Sequence, residues 1–141
     1  KSQQKTMQLQ MNPHFLFNSF NVLSELVYED QKLAVTFIHQ LSDLYRYVLD
    51  AKDKELVNLS EELKFIESFT FLLKTRFENR VDFTIDVDAK EEDFIVPMAL
   101  QLLIENCIKH NEALSSNPLR IVVKSNGNRI TVTNNLRKKK L

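Results

Sequence analysis

The stretch "VDFTIDV", residues 81–87, is where the hydrophobic pattern of this 141-residue chain changes. Val81, Phe83, Ile85 and Val87 alternate with polar residues, and this period of two predicts a strand with one buried face. The regular segments before it have helical spacing, and the segments after it include two more short strands. The chain is therefore predicted to be α+β, with most of its helices in the first half.

Three segments before this strand have the spacing of amphipathic helices. The first covers residues 1 to about 28, and the second, residues 33–48, follows a short polar turn at "YEDQ". So short a turn predicts an antiparallel helical hairpin. Two helices bury too little apolar surface alone, so the hairpin must pack on a second copy or on the rest of the chain. The third helix follows a charged linker, residues 50–60, with Asn58 or Ser60 as its N-cap.

The segments after the strand are a helix and a β-hairpin. Pro97 marks a position where a helix can begin, and "MALQLLIENCIKHN", residues 98–111, gives the fourth helix. The two strands that follow are residues 121–125 and 129–133. The dipeptide Asn126–Gly127 predicts a type I′ turn between them, with positive φ at both residues.

Composition excludes several classes of function. The 19 basic and 19 acidic residues give a formal net charge of zero, so no long-range field favours nucleic acid or an anionic membrane. No apolar run approaches the roughly 20 residues of a membrane helix, and no signal peptide is visible. The lone cysteine, Cys107, excludes an internal disulfide. The single glycine, Gly127, excludes a complete glycine-rich phosphate loop, and we expect the chain to be a piece of a longer protein.

His14 lies at the centre of a polar stripe on the first helix. The polar residues within about 40° of it on a helical wheel are Gln10, Asn18, Asn21 and Glu25. Apolar residues fill the remaining arc, which is expected to be buried. Pro13 should loosen the turn before His14 and leave the imidazole facing solvent. From the residues alone, His14 is either an ordinary surface histidine at a helix start or a nucleophile, since a neutral imidazole can act as one.

A second polar cluster lies on the fourth helix. Asn106, Lys109 and His110 share one face at spacings i, i+3 and i+4. The expected buried side consists of Leu102, Leu103 and Ile108. An asparagine oxygen can bind Mg²⁺, and the two basic side chains can bind phosphate. A solvated exterior with a Glu105–Lys109 ion pair is the more common explanation of such a face.

Taken together, these two motifs resemble those of the LytS/YehU-type sensor histidine kinases. That family is marked by "NPHFLFN" and by a later "ENAIKH" asparagine box, which here read "NPHFLFNSFN" and "ENCIKHN". The stretches "LSDLYRYVL", "VNLSEELKFIESF", "TRFENRV" and "IVPMALQLLIEN" also match. The resemblance implies that residues 1–55 form a dimerisation and phosphotransfer hairpin, half of a dimeric four-helix bundle. It implies that residues 56–141 form a partial GHKL-type α/β sandwich that binds ATP, without its lid and later glycine box.

The resemblance also implies roles for single residues. His14 would be the phosphoacceptor, with Asn18 and Glu25 as candidates for polarising it. Asn106 would bind Mg²⁺ together with ATP. The other implied cofactor-binding residues are Lys109, His110, Asn111 and Asn134. Of these, Asn134 stands where the family usually has an aspartate that contacts adenine.

The implied protein is the core of a two-component sensor histidine kinase. It would phosphorylate His14 from ATP and pass the phosphoryl group to an aspartate on a response-regulator receiver domain. We expect a homodimer on the cytoplasmic side of the inner membrane, anchored only through upstream segments, with no nucleic-acid partner. This chain by itself is expected to be soluble and inactive. The alternative is a non-catalytic dimerisation or docking module whose nucleotide binding has decayed.

Overall fold

The computed structural model describes residues 13–111 and 113–135. These residues form four α-helices and two small sheets, which confirms the α+β prediction. The helices are α1 (Pro13–Glu29), α2 (Gln31–Ala51), α3 (Leu59–Phe77) and α4 (Ala99–His110), and a 3₁₀ turn, Glu78–Arg80, follows α3. The strands are β1 (Val57–Asn58), β2 (Val81–Asp86), β3 (Phe94–Ile95), β4 (Leu119–Asn126) and β5 (Arg129–Asn134).

A single residue, Asp30, separates α1 from α2. Its side chain accepts a 3.0 Å hydrogen bond from the backbone N–H of Leu33 and so caps α2. The turn is therefore shorter than the four residues "YEDQ", because Glu29 and Gln31 are already helical. The two helices pack against each other and against α3. The part of the first predicted helix before Pro13 lies outside the described residues.

Asn58 is the N-cap of α3, which decides between the two caps that the sequence allowed. Its side-chain oxygen accepts a 3.2 Å hydrogen bond from the backbone N–H of Ser60. The helix then carries a large share of the core, with Phe65, Ile66 and Phe69 each at most 3% exposed. Its C-cap is Glu78, where φ is +54° and the backbone N–H donates to the carbonyl of Lys74. The strand predicted from the period of two starts three residues later.

The larger sheet has the order β2–β4–β5. β2 pairs in parallel with β4, and β4 pairs antiparallel with β5. The connection from β2 to β4 runs through α4, which packs against β4 and β5. The smaller sheet is the antiparallel pair β1–β3, in which Val57 lies opposite Ile95. All three strands predicted from sequence are thus confirmed, and α4 is held between the larger sheet and α3.

The turn between β4 and β5 differs from the sequence prediction by one residue. Asn126 pairs with Arg129, so the two central residues are Gly127 and Asn128. Among the described residues of this turn only Gly127 has a positive φ, +63°. A positive φ at the first central residue alone fits a type II′ turn, so the type I′ prediction is wrong. Glycine at the first central position readily adopts the positive φ that a type II′ turn requires there.

One hydrophobic cluster runs from α1 to the larger sheet. The rings of Phe15 in α1 and Phe69 in α3 lie 5.3 Å apart, and Tyr47 in α2 stacks on Phe65 at 4.6 Å. The cluster extends to Val123 in β4. It therefore crosses the predicted boundary between residues 55 and 56, and the division into two domains stays a prediction. None of the helices in the described ranges is long and apolar enough to span a membrane.

Candidate functional site

A cleft of about 470 Å³ lies where α1, α3 and α4 meet. Its polar lining consists of His14 and Asn18 from α1, Arg76 from α3, and Glu105, Asn106 and Lys109 from α4. Apolar side chains of all three helices, including Phe15, Phe77 and Ile108, complete its walls. The fold thus brings together two motifs that are about 90 residues apart in the sequence.

The α1 side of the cleft is oriented by the residue next to His14. Phe15 is buried against Phe69, and the hydroxyl of Ser19 donates a 2.7 Å hydrogen bond to the Phe15 carbonyl. Since successive helical residues are about 100° apart, burying Phe15 turns His14 to the rim of the cleft. His14 is exposed, and Asn18, one turn further on, is half-buried. The predicted solvent-facing position of His14 is therefore observed.

The rest of α1 is less buried than the sequence predicted. Asn21 and Glu25 are exposed as expected, but Phe17 is 65% and Phe20 52% exposed. The prediction that all the apolar faces are buried is wrong, because only one side of α1 packs on the other helices. Glu25 lies 11 residues from His14, roughly 16 Å along the helix axis. It is therefore too far to polarise the imidazole of its own chain.

The α4 side of the cleft is the face around Asn106. Asn106, Lys109 and His110 are all exposed, as their spacing predicted, and the first two line the cleft. Leu102 and Leu103 are 56% and 45% exposed, so their assignment to the buried side is wrong. They precede Asn106 by four and three residues and fall on its face. The side that is buried carries Leu100, Gln101 and Ile104.

Two of the predicted nucleotide contacts lie away from the cleft lining. Asn111, at the C-cap of α4, is buried, and its amide donates a 2.9 Å hydrogen bond to the Cys107 carbonyl. Asn134, at the end of β5, is half-buried and donates to the Asn135 carbonyl at 2.6 Å. His110 is also outside the lining. Of the predicted site residues, the cleft therefore brings together His14, Asn18, Asn106 and Lys109. The nucleotide-binding roles of His110, Asn111 and Asn134 stay predictions.

The cleft also contains two charged groups, Arg76 and Glu105, to which the sequence assigned no role in a site. The Arg76 guanidinium lies 4.5 Å from the centre of the Phe77 ring, and burial, together with Arg80, lowers the pKa of Arg76. Arginine starts from so high a pKa that it stays charged at neutral pH. Burial raises the pKa of Glu105, and a hydrogen bond from Gln101 opposes that shift. A basic residue in the last turn of a helix is commonly explained by the helix dipole, which is why Arg76 gave no functional signal.

This set of groups suits a phosphate and its magnesium ion. Asn106 offers an exposed amide oxygen, and Lys109 and Arg76 offer two cations at the same cleft. In residues 13–111 and 113–135, no three His, Cys, Asp or Glu side chains are arranged to hold a metal ion directly. A magnesium ion would therefore need ligands from the nucleotide in addition to Asn106.

Comparison with known proteins decides the family. Residues 2–81 match the family model described as "Histidine kinase". The chain belongs to the histidine kinase family. It is 35% identical over 131 residues to the sensor protein LytS of Enterococcus faecalis, covering 91% of this chain and 22% of that protein. It is 32% identical over 132 residues to LytS of Staphylococcus haemolyticus, covering 92% and 23% respectively.

A third relative is a sensor-like histidine kinase of Staphylococcus epidermidis that is itself described as uncharacterised. It is 37% identical over 123 residues, covering 86% of this chain and 23% of that protein. The resemblance to LytS-type sensor kinases is thus confirmed, and the chain spans about a fifth of the length of these relatives. The family-model match includes His14, Asn18 and Arg76 and ends at Val81, before α4.

The position of α4 in this kinase-family chain depends on a buried carboxylate. Glu62 of α3 is 0% exposed, and its Oε1 accepts hydrogen bonds from the Tyr47 hydroxyl at 2.6 Å and the Met98 N–H at 3.0 Å. Its Oε2 accepts from the Leu100 N–H at 3.4 Å. Met98 is the N-cap of α4, with φ +63° and no side-chain cap, so Glu62 supplies the cap from another helix. Pro97 therefore precedes the cap and is not the first helical residue.

Proposed function

We propose that this chain is the phosphotransfer and nucleotide-binding part of a two-component sensor histidine kinase that phosphorylates His14 from ATP. The observation that carries the proposal is that His14 and Asn106 line the same cleft. A nucleophile and a ligand for magnesium-bound phosphate must lie close together for phosphoryl transfer, since catalysis of this reaction depends mainly on positioning and charge neutralisation. The alternative, a docking module without catalysis, gives no reason for this juxtaposition.

The proposed reaction starts with a lone pair on an imidazole nitrogen of His14 attacking the γ-phosphorus of ATP. The P–N bond forms as the bond between the γ-phosphorus and the bridging oxygen breaks, ADP leaves, and the imidazole loses its N–H proton to solvent. Asn18, one turn from His14, orients the imidazole, and we assign this role to it in preference to Glu25. The phosphoryl group then passes to an aspartate of a receiver domain, which breaks the P–N bond.

The α4 residues would bind the nucleotide. The Asn106 oxygen would hold Mg²⁺, which supplies neutralisation of the phosphate charge when it is bound. Lys109, at the cleft, would contact a phosphate oxygen, and His110 extends the same exposed face. We also propose that Asn111 and Asn134 contact the nucleotide, and that residues 56–141 form a partial GHKL-type domain.

Residues 1–55 would form the dimerisation hairpin of a four-helix bundle. The support for this is a set of exposed apolar side chains on α1 and α2. Its members are Phe17, Phe20, Val27, Val35, Ile38 and Leu49, each between 44% and 65% exposed. On each helix they recur at spacings that place them on one face. We call this set the hairpin face and propose that a second copy of the chain covers it.

The proposal is tested with the complete gene product, ATP and Mg²⁺. We expect acid-labile phosphate to appear on wild type and to be absent from His14→Gln, while His39→Gln, which changes an exposed histidine on α2, behaves as wild type. Asn106→Ala, which removes the proposed oxygen ligand of Mg²⁺, should lower the phosphorylation rate at least tenfold, as expected for loss of well-placed charge neutralisation. Phosphorylation that persists in His14→Gln would show that another residue is the acceptor.

A further inference from the structure

Arg76 lines the same cleft as His14 and has no anionic partner among residues 13–111 and 113–135. In the described parts of the chain, the ion pairs are Arg46–Asp43, Lys64–Glu61 and Lys74–Asp82, and Arg76 is in none of them. Its guanidinium also donates no hydrogen bond to the described residues, although it is half-buried. A partly buried cation that lacks hydrogen-bond acceptors is unfavourable unless an anion or water satisfies its donors.

The same guanidinium is held in place on its apolar side. It lies over the Phe77 ring at 4.5 Å, and Phe77 itself is buried and lines the cleft. A cation over an aromatic face is attracted to the ring while its edge N–H groups stay available. Arg76 is therefore a positioned donor, whereas Lys109, the other cation of the cleft, is exposed.

Arg80 provides an internal comparison. It is also half-buried and lies over the same ring, at 5.0 Å. Its guanidinium, however, donates to the backbone carbonyls of Phe77 at 3.1 Å and Arg76 at 3.3 Å, and it does not line the cleft. Of the two arginines on this ring, only Arg76 lines the cleft, and its guanidinium donors are not used by any of the described residues.

We propose that Arg76 contacts the phosphoryl group while it is transferred to His14 and carried there, within the same chain. This inference rests on the proposed role of His14. A guanidinium matches the geometry of phosphate oxygens and offers two parallel donors to them. Arg76 belongs to α3, inside the family-model match, whereas the residues that would hold the nucleotide belong to α4 on another wall of the cleft. Arg76 can therefore stay with the phosphoryl group after ADP leaves.

The test uses phosphoramidate, a small phosphoryl donor that needs no nucleotide. An imidazole nitrogen attacks its phosphorus, the P–N bond to the amino group breaks, and ammonia leaves with the proton that the imidazole gives up. The 141-residue chain contains three histidines, His14, His39 and His110, and all three are exposed. His39 and His110 lie outside the cleft lining, so they report the reactivity of a histidine without Arg76.

We expect His14 to be phosphorylated about tenfold faster than His39 and His110, because Arg76 would add one charge-assisted hydrogen bond to the phosphoryl group in the transition state. Its rate should saturate with phosphoramidate concentration, because Arg76 binds the anion before transfer. Phosphopeptide mass spectrometry at neutral pH measures the three sites separately. A rate at His14 no higher than at the other two histidines would overturn the proposal, whatever the variants do.

The variants then assign the effect to one side chain. Arg76→Gln should bring the His14 rate down to that of the other histidines and make it linear in donor concentration. Arg76→Lys should keep part of the preference, and Arg80→Gln, which removes the other cation on the Phe77 ring, should keep all of it. Far-UV circular dichroism identifies any variant that fails to fold. A folded Arg76→Gln with the wild-type preference, or an equal loss in Arg80→Gln, would contradict the assignment.

The same experiment separates this inference from the proposed kinase function. Because no ATP is present, a preference for His14 that depends on Arg76 supports the inference even if the chain transfers nothing from ATP. If ATP-dependent phosphorylation of His14 occurs but Arg76→Gln leaves both reactions unchanged, the inference fails and the kinase function stands.

Discussion

The hydroxyl of Tyr47 donates a 2.6 Å hydrogen bond to the buried Oε1 of Glu62, and through it α2 is linked to the start of α4. The same carboxylate accepts from the N–H groups of Met98 and Leu100, so one side chain of α3 satisfies donors from two other helices. A carboxylate at a helix N-terminus also interacts favourably with the helix dipole. The orientation of α4, and with it Asn106 opposite His14, therefore depends on this contact.

We predict that Tyr47→Phe lowers the free energy of unfolding by about 0.5–3 kcal/mol, the range that covers hydrogen bonds to neutral and to charged groups. The ring and its stacking on Phe65 are kept, so the loss reports the hydroxyl. Urea unfolding followed by circular dichroism measures it. Tyr45→Phe is the matched control, because Tyr45 is half-buried on the same helix and its hydroxyl has no hydrogen-bond partner among the described residues. Equal losses in the two variants would show that the Glu62 contact contributes nothing specific.

The contribution of Glu62 to stability should fall as the pH rises. Burial raises the pKa of Glu62 in the folded chain, against the opposing effect of its hydrogen bonds from Tyr47 and the backbone. Between the reference pKa of 4.5 and the higher pKa of the folded chain, the folded state holds more protons than the unfolded state. The stabilisation is therefore full below pH 4.5 and is lost as the pH rises toward the pKa of the folded chain. The difference in unfolding free energy between wild type and Glu62→Gln should therefore be smaller at pH 7 than at pH 4.

Urea unfolding of both proteins between pH 4 and pH 8 tests this sign, with Glu67→Gln, an exposed carboxylate on the same helix, as control. If the difference grew with pH, the hydrogen bonds would outweigh burial and the folded pKa would be lowered. Tyr47 adds an effect only at alkaline pH, since burial and the contact with Glu62 raise its pKa strongly.

The spacing of apolar residues predicted the helices and strands of this fold well, because buried side chains recur with the period of the helix or strand that carries them. The period of two at residues 81–87 and the helical spacing of the four helices depend only on neighbouring residues. The pattern did not decide which side of α4 is buried. Leu102 and Leu103 are as apolar as Leu100, and only the packing of the sheet and α3 selects between them.

Contacts distant in sequence were outside the reach of such patterns. Glu62 and Met98 are 36 residues apart, and Glu62 reads as an ordinary residue of a helix first turn. The family motifs predicted His14 and Asn106 as site residues, because those motifs are specific in sequence. Arg76 was missed because the cleft that it shares with His14 exists only after α1 and α3 have packed.

The hairpin between β4 and β5 gives a prediction about backbone strain. Gly127 has φ +63°, and a Cβ added there would meet no heavy atom within 4 Å. Gly127→Ala should therefore destabilise the chain only through its backbone, by about 1–2 kcal/mol. Asn128→Ala in the same turn, at a residue without positive φ, is the control and should cost less. Urea unfolding that gave the same loss for both would contradict the assigned turn register.

The hairpin face gives a prediction about assembly. If a second copy covers it, Phe20→Glu places a charge in an apolar interface, and burying an unpaired charge costs several kcal/mol. We expect the wild-type chain to be a dimer in sedimentation equilibrium and Phe20→Glu to be a monomer with an unchanged circular dichroism spectrum. Phe94→Glu is the control, since Phe94 is 59% exposed on β3, outside the hairpin face, and it should remain dimeric. A dimeric Phe20→Glu, or loss of the dimer in Phe94→Glu alone, would place the interface elsewhere on the molecule.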